Sequence, residues 1–186
     1  QNDEKNIKKF RSFADNLSLQ GATDIGSALR ASTRLIERDE ALAKDRVDLF
    51  LLSDGSITWG EGDAFLLTEG LKKKPWMGAL FAYRTGLEGT DTGMLSHLSR
   101  ELGGALFSVV GASEVPAAAK AHRFRPYELK SVSIEGAEDV VVAGRPQVVY
   151  PGQSLLIAGR GKLSSATPEL LFTVSHDRTP QTIEVP

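Results

Sequence analysis

Two places in the chain combine residue types and backbone turns that could do chemistry. In "LQGATDIGSALRAS", residues 19–32, Thr23 and Asp24 stand immediately before an amphipathic pattern. In "VDLFLLSDGS", residues 47–56, Asp54 ends an apolar run and is followed by Gly55 and Ser56. Each has an ordinary structural explanation. Thr or Asp before a helix caps it by accepting a hydrogen bond from an otherwise orphaned N–H, and Asp before Gly closes a strand in a sharp corner. The alternative is a binding site, because ligands of an open α/β sheet collect beyond the carboxyl ends of the strands, where Asp54 falls. Position alone leaves both readings open.

Other chemistries fail on spacing. "GEGDAF" lacks a third glycine and lies at the wrong offset from its strand for a dinucleotide loop. "GRGKLS" has Gly-Lys without the full phosphate-loop pattern, and it sits between strands rather than at a helix start. His97, His122 and His176 are scattered, with no paired ligand spacing. His97 reads as a helix-surface residue and His122 as a partner for a helix C-terminus. "LKKKPW" reads as a solvated helix end, although three lysines could also greet an acidic partner. No Ser-His-Asp set and no carboxylate pair announces hydrolysis.

The 186 residues suit one domain, or one with a small companion. Hydrophobic residues at 41% and charged residues at 25% describe a globular chain able to bury a core. With 22 basic against 24 acidic residues the net charge is −2, so no strong field favours nucleic acid or anionic lipid. The absence of cysteine removes disulfides, thiolate metal sites and Cys nucleophiles, and leaves the compartment open. No apolar run approaches the roughly 18 residues that span a bilayer. Gln1 in place of Met leads us to expect a piece of a longer protein.

Up to about residue 124 the pattern alternates. Ile7, Phe10, Ala14 and Leu17 recur at helical spacing, as do Ile25, Ala28, Leu29, Ser32, Leu35 and Ile36. "RVDLFLLSDG" predicts a strand buried on both faces, "DAFLLTEGLKKK" a helix, "WMGALFAYRTG" a second buried strand, "DTGMLSHLSRELGG" a helix ending in glycine, and "ALFSVVG" a third strand. "SEVPAAAKAHR" predicts a last helix with Ser113 as N-cap. Short joints between strand and helix point to parallel crossovers, hence a doubly wound α/β sheet over residues 1–124. In residues 125–186 the segments "YELKSVSIEG", "EDVVVAG", "PQVVYPGQ", "SLLIAGRGK", "ELLFTVSHD" and "TIEVP" are short and punctuated by Gly and Pro. They predict an antiparallel, sandwich-like β region.

Taken together, "GATDIGSAL" and the strand end "LLSDGSITWGEGD" resemble the von Willebrand factor A family, in which these motifs supply two parts of a metal-ion-dependent adhesion site. "GALFAYRTG", "LSHLSRELGGALFSV" and "ASEVPAAAKA" resemble that family's second half. The tail, with "YPGQSLLIAGRGK", is similar to the β segment that follows such a domain in inter-α-trypsin-inhibitor-like proteins. The resemblance implies a non-enzymatic adhesion module. Thr23 and Asp54 would hold a divalent cation, and a partner protein's exposed Asp or Glu would complete its shell. Hard oxygen ligands with retained waters suit Mg²⁺. Asp24, Gly55, Ser56, Thr85 and Gly86 would line the partner contact.

One departure bears on all of this. The family's first motif, Asp-x-Ser-x-Ser, does not occur before Thr23, where the sequence reads as a helix. A permuted reading would use "DGSIT" as that motif and Thr90 and Asp91 as the later parts, but no strand-end Asp-Gly follows them. The simpler expectation is that the chain starts inside such a domain. A single carboxylate would then hold Mg²⁺ weakly or not at all, and an open sheet edge would invite dimerisation. The alternatives are a structural scaffold with a degenerate site, or a nucleotide-binding α/β enzyme fragment whose phosphate loop lies elsewhere.

Overall fold

A computed structural model describes residues 3–18, 22–85, 92–109, 111–124, 126–143, 145–153, 155–162, 169–176 and 179–185. The first helix, α1 (Glu4–Asp15), starts where Asp3 accepts a hydrogen bond from the Asn6 N–H at 2.8 Å. Its helical spacing is as read, but it buries no residue: Ile7, Phe10, Phe13 and Leu17 are all exposed. Helix α2 (Ile25–Arg38) turns Ile25, Leu29 and Ile36 inward, three positions of one helical stripe, and leaves Leu35 in solvent.

Three parallel strands follow, β1 (Val47–Ser53), β2 (Met77–Thr85) and β3 (Leu106–Val109), in the order β1-β2-β3. Helix α3 (Ala64–Lys72) carries the chain from β1 to β2, α4 (Thr92–Glu101) from β2 to β3, and α5 (Val115–Ala121) follows β3. Strand alternation divides the core in two. On one face Leu80 and Ala82 of β2 pack with Ile25, Leu29 and Ile36 of α2, Leu71 of α3, and Met94, Leu95 and Leu98 of α4. On the other, Phe81, Tyr83 and Phe107 pack with Ala118 and Ala121 of α5. Helices therefore cover both faces of a parallel sheet.

Two expectations need correction. Strand β1 is buried on one face only: Phe50 is 49% exposed and Leu52 67% exposed. It is an edge strand among the described residues, and α5 packs over β2 and β3, meeting the outer face of β1 through its C-cap His122 against Phe50. Helix α5 is not capped by Ser113. It starts after Glu114, which makes no side-chain capping bond, with Pro116 in its first turn supplying the fixed φ that a helix start tolerates.

The six short segments of the tail are six strands: β4 (Tyr127–Ile134), β5 (Ala137–Val142), β6 (Val148–Val149), β7 (Ile157–Gly161), β8 (Leu170–His176) and β9 (Thr179–Val185). They form antiparallel sheets ordered β6-β4-β8-β9 and β5-β7. Tyr150 leaves this region to join the aromatic cluster under α5, 5.5 Å from the ring of Phe81, and its hydroxyl donates to the Gly103 carbonyl at 3.2 Å. Among the described residues no helix is long and apolar enough to cross a membrane.

Candidate functional site

The N-terminus of α2 and the loop leaving β1 meet at one rim. Asp24 is the N-cap of α2. One of its oxygens accepts from the Ser27 N–H at 2.7 Å and the other from the Ser27 hydroxyl at 2.7 Å. The Ser27 N–H, then its hydroxyl, with Arg30 adding its charge, hold the Asp24 carboxyl below the usual aspartate range. The capping explanation of Asp24 is therefore realised. It engages both carboxylate oxygens.

Strand β1 ends in two consecutive side-chain turns. The Gly55 N–H donates to the Ser53 hydroxyl at 3.0 Å, and the Ser56 N–H donates to Asp54 Oδ1 at 3.1 Å. Gly55 is buried at φ 83°, a backbone state that a side chain would strain, so the corner after Asp54 depends on glycine. The loop then runs back toward α2. The Thr23 N–H donates to Thr58 Oγ1 at 2.7 Å, while the Thr23 carbonyl accepts from the Thr58 and Trp59 N–H groups at 3.1 and 3.2 Å. Gly60, at φ 80°, lies against the Asp24 carboxylate, and any side chain there would collide with it.

Thr23 and the loop that begins with Asp54 are thus on the same rim, at the carboxyl end of β1. The Thr23 backbone is committed to Thr58; its hydroxyl makes no hydrogen bond among the described residues. Gly55 and Ser56 belong to the same loop. Thr85 ends β2, half-buried and in register with Val109, at the same edge of the sheet. Gly86, Thr90 and Asp91 lie outside the described residues.

As an ion site this donor set is sparse. The Thr23 hydroxyl and the second oxygen of Asp54 are hard donors, and each oxygen of Asp24 already accepts one hydrogen bond from Ser27. Among the described residues there is no group of three or more His, Asp or Glu that could hold a metal. These donors fit only a hydrated cation that keeps most of its own water, as Mg²⁺ does.

Trp59 and Arg84 escaped the sequence reading, and Thr58 entered it only within "DGSIT" of the permuted reading, not as a partner of Thr23. Thr58 matters through a hydrogen bond to a residue 35 positions away, which no local pattern encodes. Trp59 is 71% exposed on the rim of an open depression of about 700 Å³, lined by Ser56, Ile57, Thr58, Trp59, Gly60 and Gly62. A tryptophan between polar and glycine residues, outside any apolar period, was the available signal. His97 is corrected too: it is half-buried against Phe65, with ring centres 4.4 Å apart, rather than on the helix surface. His122 is the C-cap of α5, and its Nδ1 lies 3.0 Å from the Tyr83 hydroxyl. Lys72 and Lys74 of the lysine run pair with Glu101 and Glu37, each at 2.7 Å.

The molecule so described is a mixed α/β protein with a parallel three-strand sheet and separate antiparallel sheets. No protein-family profile matches the chain, and no curated protein matches it.

Proposed function

We propose that this chain carries a non-enzymatic protein-binding module of the von Willebrand factor A kind, which recognises an acidic group of a partner protein through a divalent cation. In this reading Thr23 and Asp54 hold a hydrated Mg²⁺, and Asp24, Gly55, Ser56, Thr85 and Gly86 surround the incoming group. The observation that carries it is the triple hydrogen bond between Thr23 and residues 58–59, which ties the threonine to the loop of Asp54. Thr23 could have capped α2; instead Asp24 does so, and the Thr23 hydroxyl is left for another use. Exposed Trp59 beside it is the kind of large amphipathic side chain that anchors protein interfaces.

The cation alone is the probe. Mg²⁺ at about tenfold its dissociation constant stabilises a one-site protein by about 1.4 kcal/mol, which for a domain of this size raises Tm by about 3–5 °C. The rise should be reversed by chelation and absent in Asp54→Ala and in Thr23→Val. A wild-type melting curve indifferent to Mg²⁺ removes the mechanism in favour of a scaffold with a degenerate site. A response to nucleotide instead of Mg²⁺ favours the enzyme fragment.

A second contact is favoured by β1. Its outer edge is unpaired among the described residues, and Phe50 and Leu52 stand exposed beside it. An edge of this kind pairs readily with another chain, so self-association through β1 accompanies the proposal.

A further inference from the structure

The carboxyl edge of the parallel sheet holds a cation of its own. Register places Ser53, Arg84 and Ser108 side by side across β1, β2 and β3. All three continue the α2–α4 face: Ser53 follows Leu49 and Leu51, Arg84 follows Leu80 and Ala82, and Ser108 follows Leu106. An arginine in this place is unusual for a strand so apolar, because residues 77 and 80–83 around it are buried. Its Nη2 donates to the Ser108 hydroxyl at 2.8 Å. Among the described residues its buried Nε has no hydrogen-bond partner and no carboxylate pairs with the guanidinium.

A buried donor without an acceptor costs stability. Nε–H and Nη2–H point from the same side of a guanidinium as a two-pronged fork, the geometry that matches an oxyanion, and Nη2 has a second proton besides the one given to Ser108. The Ser108 hydroxyl accepts from Arg84 and keeps its own proton to donate. Meanwhile Asp54 leaves the sheet one residue beyond Ser53, the register partner of Arg84. That neighbouring negative charge penalises a dianion more than a monoanion, which selects a carboxylate over a phosphate.

From these observations we infer that Arg84, assisted by Ser108, is an anchor for a carboxylate arriving at the carboxyl edge of the sheet. The inference rests on the proposed function for whose carboxylate this is: the acidic side chain of the partner, gripped by a guanidinium as well as by an ion. The anchoring itself requires no metal, and this separates its test from that of the cation.

The test follows the Arg84 Nε–H resonance in ¹H–¹⁵N spectra of the intact chain with chelator present, assigned through its own backbone spin system. Sodium acetate should move it along a saturable curve. Matched sodium chloride should not, and inorganic phosphate should move it less than acetate. In Ser108→Ala the acetate curve should shift to higher concentration, and in Arg84→Lys the response of neighbouring amides should be lost. An Nε–H indifferent to acetate overturns the anchor, as does an equal response to chloride. A stronger response to phosphate than to acetate overturns the choice of ligand. If acetate binds while Mg²⁺ leaves the melting curve unmoved, the anchor stands and the cation reading falls; the reverse pair of results has the reverse meaning.

Discussion

Thr23 and Thr58 hold each other through both ends of a residue: the Thr23 N–H donates to the Thr58 hydroxyl at 2.7 Å, and its carbonyl accepts from the Thr58 N–H at 3.1 Å. The threonine side chain at 58 thereby sets where the loop after Asp54 returns, and so where Asp54 stands relative to α2. Replacing Thr58 by Val keeps the shape and removes the acceptor. On this solvent-facing rim the loss should be about 0.5–1.5 kcal/mol in urea unfolding, and Thr58→Ser should restore most of it. Any Mg²⁺ response should weaken in Thr58→Val and recover in Thr58→Ser. A Thr58→Val protein with unchanged stability and unchanged response would mean that the loop is positioned by other contacts.

Asp24 makes a prediction in pH. Its carboxyl is held below the usual range by the Ser27 N–H, the Ser27 hydroxyl and the charge of Arg30. A folded-state pKa below the unfolded value gives stability that is present above the unfolded pKa of about 3.9 and is lost as pH falls through the folded one. Asp24→Ala should therefore melt about 2–4 °C below wild type at neutral pH, the usual size of a lost helix cap in a domain of this length. Below about pH 4 that gap should narrow as the wild-type carboxyl takes up its proton. A gap of constant width down to pH 2 would show that the negative charge is not what caps α2.

The exposed side of β1 predicts association. Phe50 and Leu52 project from an edge strand that α5 touches through its C-cap His122, whose ring meets Phe50 edge-on at 5.0 Å, and both side chains stay exposed. In sedimentation at rising concentration the chain should form dimers or larger species. Leu52→Lys, a charge on the open edge, should return it to monomer. Leu52 is 67% exposed, so the change should leave Tm nearly where it was. A wild-type chain that stays monomeric at high concentration would leave β1 without this role.

Much of the fold was legible locally. Every predicted helix and strand occurs, because apolar residues at a period near four mark helices and short runs bounded by Gly, Pro or Asp mark strands. The tail illustrates this best: six quoted segments became β4 to β9. Failures came where burial depends on what lies across from an element. The stripe Ile7, Phe10, Ala14, Leu17 predicts helix α1 and says nothing of whether a surface exists to receive it. "VDLFLLS" looks like a central strand, yet its place at one end of the order β1-β2-β3 exposes Phe50 and Leu52.

The candidate site divides in the same way. By itself the sequence determined that Asp54 ends a strand and that a polar pair precedes α2, because turn and cap chemistry depend on adjacent residues. It could not say which of Thr23 and Asp24 would cap; the structure gives the cap to Asp24 and the long-range bond to Thr23. Only the tertiary structure brought residue 23 to residue 58, set Gly60 against Asp24, and aligned Ser53, Arg84 and Ser108 across three strands. The physical reason is register: pairing in a parallel sheet is fixed by the packing of whole crossovers, so neighbours on its edge are strangers in the chain.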